Sequence, residues 1–206
     1  MQTDRAAGLA LIGGTLAALV TMAFHPTGPA LAADFARVAP VNRGVHGLAI
    51  AGVIATTFGL LRLTRQLAHR GALVDAALVT YGFGAVAVMF AAIASGFVGT
   101  MLASFVLDGG DAVRLAWEPA FDYNWAFNQA TTKVYVVTAS VGIALWSVAM
   151  LREPRYGSAL GVTGLVVGAA ATIATISGLP MDIHGFGAIV LGHGVWMIWA
   201  GAKQLM

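Results

Sequence analysis

Six stretches of this chain stay apolar for about the length of a membrane-crossing helix, and no other feature limits the fold as strongly. A span needs about 20 mostly apolar residues, each rising about 1.5 Å. The first run covers residues 6–24 and ends at His25-Pro26, and the second covers 45–63. The third covers 73–97, inside an apolar stretch that continues to Leu107. At about 1.5 Å per residue that stretch is too long for one straight span and too short for two. It implies a strong tilt or kink near Gly96 and Gly99, or a short extra segment at the membrane surface. The remaining runs cover 130–151, 160–176 and 183–202, and the polar stretch 108–123 reads as a loop with a turn at Gly109-Gly110.

Composition decides between helices and strands. Hydrophobic residues make up 59% of the chain and charged residues only 10%, and the mean hydropathy is +0.83. Soluble domains carry roughly a quarter charged residues, so this chain could not cover a water-facing surface. In lipid every backbone amide must be paired internally, which leaves helices or a closed barrel. A barrel needs alternating strands of about ten residues; these runs are long, unbroken and rich in Ala, Leu and Gly. The expected fold is all-α: one polytopic transmembrane bundle of six spans over residues 1–206.

Basic residues set the expected orientation. With the N-terminus inside, the inner side carries Arg5, Arg62, Arg65, Arg70, Arg152, Arg155 and Lys203. The outer side then holds Arg37, Arg43, Arg114 and Lys133, together with Asp34, Asp108, Asp111, Glu118, Asp122 and Asp182. Trp117 and Trp125 fall at the outer level, and Trp146, Trp196 and Trp199 toward the inner. The reading is N-in, C-in and multi-pass in an inner (plasma) membrane. Ala30-Leu-Ala32 before Ala33 looks like a signal-peptidase site. The long apolar run before it, the mixed charges of Asp4 and Arg5, and the intervening Pro26 and Gly28 argue against cleavage.

Histidine placement is the main lead to chemistry. His25 closes the first run, while His46 and His184 open the second and sixth, so all three fall at the outer level. Both His46 and His184 precede a glycine on helices of the same direction. A haem b held by His46 and His184 is one expectation; a copper, zinc or iron ion held by His25, His46, Asp182 and His184 is the other. Amphipathic histidines resting in the headgroup region are the plainer alternative.

His193 lies about 13.5 Å deeper than His184 on the same helix and faces the other way, so the two cannot share one centre. An ionisable group at that depth usually faces the bundle interior or a wet cavity. Gly192 and Gly194 beside it leave room for a cofactor or a close helix, with Met89 a weak axial partner. The alternative is a neutral imidazole hydrogen-bonded across helices to Ser, Thr or a carbonyl.

On the fourth run, Asn124, Asn128, Thr131 and Thr132 share one stripe, with Lys133 about 100° further round. This stripe would line an outward-open pocket or form the wet end of a span. Gly157, Gly161, Gly164 and Gly168 give the fifth span a small-residue face for tight packing, against a neighbouring helix or a second subunit of a homodimer or larger membrane complex.

Several classes drop out. There is no cysteine, hence no disulfide or thiolate site. No basic run with interleaved aromatics suggests nucleic acid. Phosphate-loop, metalloprotease and serine-hydrolase motifs are missing, and no extramembrane segment is long enough for a folded catalytic domain. The reading therefore leans away from an enzyme. It leaves a membrane protein with an outer-face cofactor or metal site, a small carrier or channel along His193 and the fourth span, or an assembly subunit.

Overall fold

The computed structural model describes residues 4–27 and 34–206; the Ala30-Leu-Ala32 cleavage motif lies outside them. The described residues form seven α-helices: α1 (Arg5–Phe24), α2 (Phe35–Gln66), α3 (Ala72–Ile93), α4 (Gly99–Asp108), α5 (Asp111–Met150), α6 (Gly157–Ile176) and α7 (Ile183–Leu205). A π-helical turn, Ala94–Val98, carries α3 into α4 without a break. Among the described residues six elements are long and apolar enough to cross a membrane, counting Ala72–Leu107 as one. No strand occurs among the described residues.

Successive spans pack side by side, and α7 returns against α1, so they close a ring in the order α1, α2, α3, α5, α6, α7. Aspartates start three of the helices: Asp4 accepts from the Ala7 N–H (3.1 Å), Asp34 from Arg37 (3.4 Å), and Asp182 from His184 and Gly185 (3.0 and 2.8 Å). Each satisfies backbone donors that a helix N-terminus leaves unpaired.

Glycines let α1 wedge between its neighbours. A Cβ on Gly14 would sit 2.6 Å from the Gly52 carbonyl of α2, and one on Gly8 would sit 2.7 Å from the Gly201 carbonyl of α7. The small-residue face of α6 is used the same way. Cβ atoms on Gly161 and Gly168 would meet the Ser147 and Ser140 carbonyls of α5 at 3.0 and 2.7 Å. These glycines are therefore occupied by packing within one chain.

Two boundaries differ from the sequence expectation. The second span starts ten residues before Val45: α2 begins at Phe35 and runs through Pro40, which forgoes one intrahelical hydrogen bond. The expected loop 108–123 is almost wholly helical. Only Gly109-Gly110 turns, and α5 runs for 40 residues straight through Pro119. At about 1.5 Å per residue α5 is about 60 Å long, twice the hydrocarbon thickness of a bilayer.

The interior is filled unevenly. The main core gathers Leu11, Leu60, Leu63, Tyr81, Ile143, Trp146, Met150 and Trp196 toward the end where α1 begins and α7 finishes. Large apolar side chains on the outside, such as Phe83 (70% exposed), Ile173 (64%) and Val166 (61%), make the perimeter suited to lipid. The opposite end, where His25 and His46 lie, is hollow.

Candidate ligand cavity

A cavity of about 420 Å³ opens at the histidine end, between the end of α1, the first half of α2, the π turn, α5 and the start of α7. That is within the range of small-molecule sites. The π turn shapes it. Widening a helix disturbs its carbonyl ladder, and the carbonyls around this turn are met by side chains of other helices. Asn128 Nδ2 donates to the Ala91 carbonyl (2.8 Å), Asn124 Nδ2 to Ala94 (3.0 Å), and Asn42 Nδ2 to Ser95 (3.1 Å). Asn42 also donates to Thr100 Oγ1 (2.9 Å), which donates in turn to the Gly96 carbonyl (2.7 Å). The kink expected near Gly96 and Gly99 is this turn, bonded to α2 and α5.

Gly96 is needed because His46 lies directly on it. A Cβ at Gly96 would overlap His46 Cβ and reach Cγ at 2.5 Å. His46 is buried, and its Nδ1–H donates to the Asn42 carbonyl (2.7 Å). His25 packs edge-on against it with ring centroids 4.8 Å apart, and its own Nδ1–H donates to the Pro26 carbonyl (2.9 Å). Burial lowers the pKa of His25 below 6.5, only partly opposed by its backbone hydrogen bonds. A carbonyl can only accept, so both rings carry the proton on Nδ1 and keep the Nε2 lone pair free in the neutral form. By the same reasoning the amides of Asn42 and Asn124 are left with their oxygens to offer.

The sequence-derived candidates separate on this frame. His25, His46, Asn124, Asn128, Thr132 and Asp182 all line the cavity. Thr131 does not; its hydroxyl donates to the Phe127 carbonyl of its own helix (2.8 Å). Lys133 is exposed and also lies outside. His184 is exposed and absent from the cavity wall, so His46 has His25 as its neighbour there and not His184. Side chains two residues apart on a helix start point in different directions, and Asp182 is the one that reaches the cavity.

His193 sits in the packed interior at 2% exposure, hydrogen-bonded through Nε2 to Ser140 Oγ of α5 (3.0 Å). Its ring stands 6.5 Å from Tyr135, which in turn packs on Phe186 of the cavity wall. It is the cross-helix serine arrangement, separated from the cavity by an aromatic layer. Among the described residues no group of three or more His, Cys, Asp or Glu could hold a metal ion.

Sequence reasoning missed Asn42, Gln129, Phe121, Trp125 and Phe186 in the wall. Asn42 had a usable signal. It lies four residues before His46, on the same face of a helix once α2 is extended N-terminally. Comparison with known proteins adds no relative: no protein-family model, curated protein or solved structure matches the chain.

Proposed function

We propose that this protein is a multi-pass membrane protein that binds a small, partly apolar molecule carrying hydrogen-bond donors in the cavity at its histidine end. One observation carries the reading. Four polar side chains around the cavity, His25, His46, Asn42 and Asn124, each spend a donor on a backbone carbonyl and keep an acceptor, the imidazole Nε2 or the amide oxygen, for a ligand. In the N-in, C-in orientation favoured by the basic residues, the cavity opens at the outer face of an inner membrane. The test is native mass spectrometry of the protein extracted from membranes, beside an Ala49→Trp variant that fills the cavity from α2. A small molecule that copurifies with the parent and not with the variant supports the reading. Equal occupancy of both would overturn it.

The other cofactor readings fare differently. A haem between two imidazoles needs ring centroids about 6 Å apart with the macrocycle between them, taking metal–nitrogen bonds of about 2 Å. The His25–His46 rings are in edge contact, and His184 is elsewhere. A single transition-metal ion on the two Nε2 atoms is the second candidate. It is favoured by the 4.8 Å ring separation, near the about 5 Å of a tetrahedral pair, and by Nδ1–H bonds to carbonyls, the usual setting of metal-binding imidazoles. Stoichiometric copper, zinc or iron in the purified protein, lost in His25→Ala, would establish it.

A further inference from the structure

The cavity wall contains one formal charge and no cation. Asp182 is its only ionisable carboxylate, and neither Lys nor Arg lines it. Residues 28–33, which lie outside the described structure, are Gly-Pro-Ala-Leu-Ala-Ala and carry no ionisable side chain. His25, His46, Asn42 and Asn124 add uncharged acceptors to that carboxylate. The walls are aromatic, with Phe121, Trp125 and Phe186 among them.

We infer that the ligand is a small organic ammonium ion with an apolar body. The inference rests on the ligand-cavity reading and narrows it. A phenol or quinol would also find acceptors here, but would leave the carboxylate without a counter-charge. An anion would meet no Lys or Arg among the described wall residues and would be repelled by Asp182. An ammonium offers N–H donors only, which suits lone pairs on His25, His46, Asn42 and Asn124. Its charge is matched by the Asp182 carboxylate, whose Oδ1 caps α7 by accepting from His184 and Gly185 while Oδ2 makes no hydrogen bond in the described structure. Aromatic faces add attraction for a cation that is partly stripped of water. Burying the charge would be unfavourable without such a partner.

The test compares three probes with one body and different heads: 2-phenylethylammonium, 2-phenylethanol and phenylacetate. Binding to the detergent-purified full chain is measured by calorimetry, beside an Asp182→Asn variant. Asparagine caps a helix about as well as aspartate, so the variant keeps the start of α7, and its thermal unfolding checks this. The expected result is at least tenfold tighter binding of the ammonium than of the alcohol, with phenylacetate weakest. Asp182→Asn should collapse that preference, weakening the ammonium far more than the alcohol. If the alcohol or the acid binds as tightly as the ammonium, the ammonium inference falls while the cavity reading stands. A preference that persists in Asp182→Asn overturns the role given to the carboxylate. If none of the three binds and Ala49→Trp changes no copurifying molecule, both readings fall.

Discussion

Two glycine-to-alanine changes on one continuous helical stretch should move stability in opposite directions. Gly82 on α3 has nothing within 4 Å of an added Cβ. Alanine there keeps a helical backbone and removes conformational freedom from the unfolded chain, a gain of about 0.5–1 kcal/mol. Gly96 in the π turn faces His46, and an added methyl would overlap His46 Cβ and stand 2.5 Å from Cγ and 3.0 Å from Nδ1. Carbon atoms in contact settle at about 3.5–4.0 Å, so the π turn and α2 would have to part by about 1 Å. The atoms in the way are attached close to the α2 backbone, so rotation of a side-chain end gives no relief. Overpacking of this kind costs about 1–3 kcal/mol. Taking the middle of each range, Gly96→Ala should be less stable than the parent by about 1 kcal/mol. Reversible unfolding in mixed micelles, followed by tryptophan fluorescence, measures both variants in one series. Binding in the cavity should weaken in Gly96→Ala, because the displaced ring is part of its wall. If Gly96→Ala is within about 0.5 kcal/mol of the parent, the range of an ordinary surface substitution, the close approach of α2 to the π turn is refuted.

Three further outcomes follow from named contacts. Asn128→Leu removes the donor to the Ala91 carbonyl and should lower stability by about 0.5–2 kcal/mol, with faster hydrogen exchange confined to residues around 94–98. Ser140→Ala breaks the bond to His193 and should destabilise by about 0.5–1.5 kcal/mol, whereas Ser147, whose hydroxyl has no partner among the described residues, should tolerate alanine within about 0.5 kcal/mol. Burial alone would raise the pKa of Asp4, but the Ala7 N–H, then Arg62 and Arg155, more than reverse this and hold it below 3.8. The native state then binds fewer protons than the unfolded chain, so this stabilisation is present above about pH 4 and lost as pH falls further. Asp4→Asn should flatten the acid limb of a pH–unfolding series, and an unchanged limb would remove the ion pair from the account.

The spans were legible because apolar length is a direct physical requirement, and the described helices match the six runs in number and order. The misreadings share one cause. Both boundaries were read from where apolar composition begins, leaving 108–123 as a loop and the second span starting at Val45, yet α2 and α5 are helical well before those points, through Pro40 and Pro119. That error hid Asn42, and with it the reason His46 is held as it is. Of the histidines expected together at the outer level, the structure brings His25 to His46 and leaves His184 off the cavity wall. His46 and His184 share a sequence context, whereas proximity is decided by ring order and rotation about each helix axis, which one sequence does not fix. The stripe on α5 was readable by periodicity as far as Asn124, Asn128 and Thr132. What those amides do was not, because their partners belong to a π turn that arises only when α3 packs against α5.

The two ends of the bundle differ in how much room they leave around their polar groups. At the end where α1 begins, polar side chains bond to one another and to chain ends. Arg62 pairs with Asp4 (2.6 Å), Arg155 donates to the Lys203 and Gln204 carbonyls (3.3 and 3.4 Å), and Tyr156 donates to Gln66 (2.7 Å). Glu153 accepts from His69 and Arg70 (2.9 and 3.3 Å). The packed core lies against this network, so that end is built for closure. At the histidine end the donors are tied back to the π turn and to helix ends, while lone pairs of two imidazoles and two amides remain around empty space. A bundle needing only to be stable could fill that space with leucine and lose nothing by it, since removing both partners of a buried polar pair is nearly neutral. Here polar groups with free acceptors lie beside a cavity with room for a small molecule.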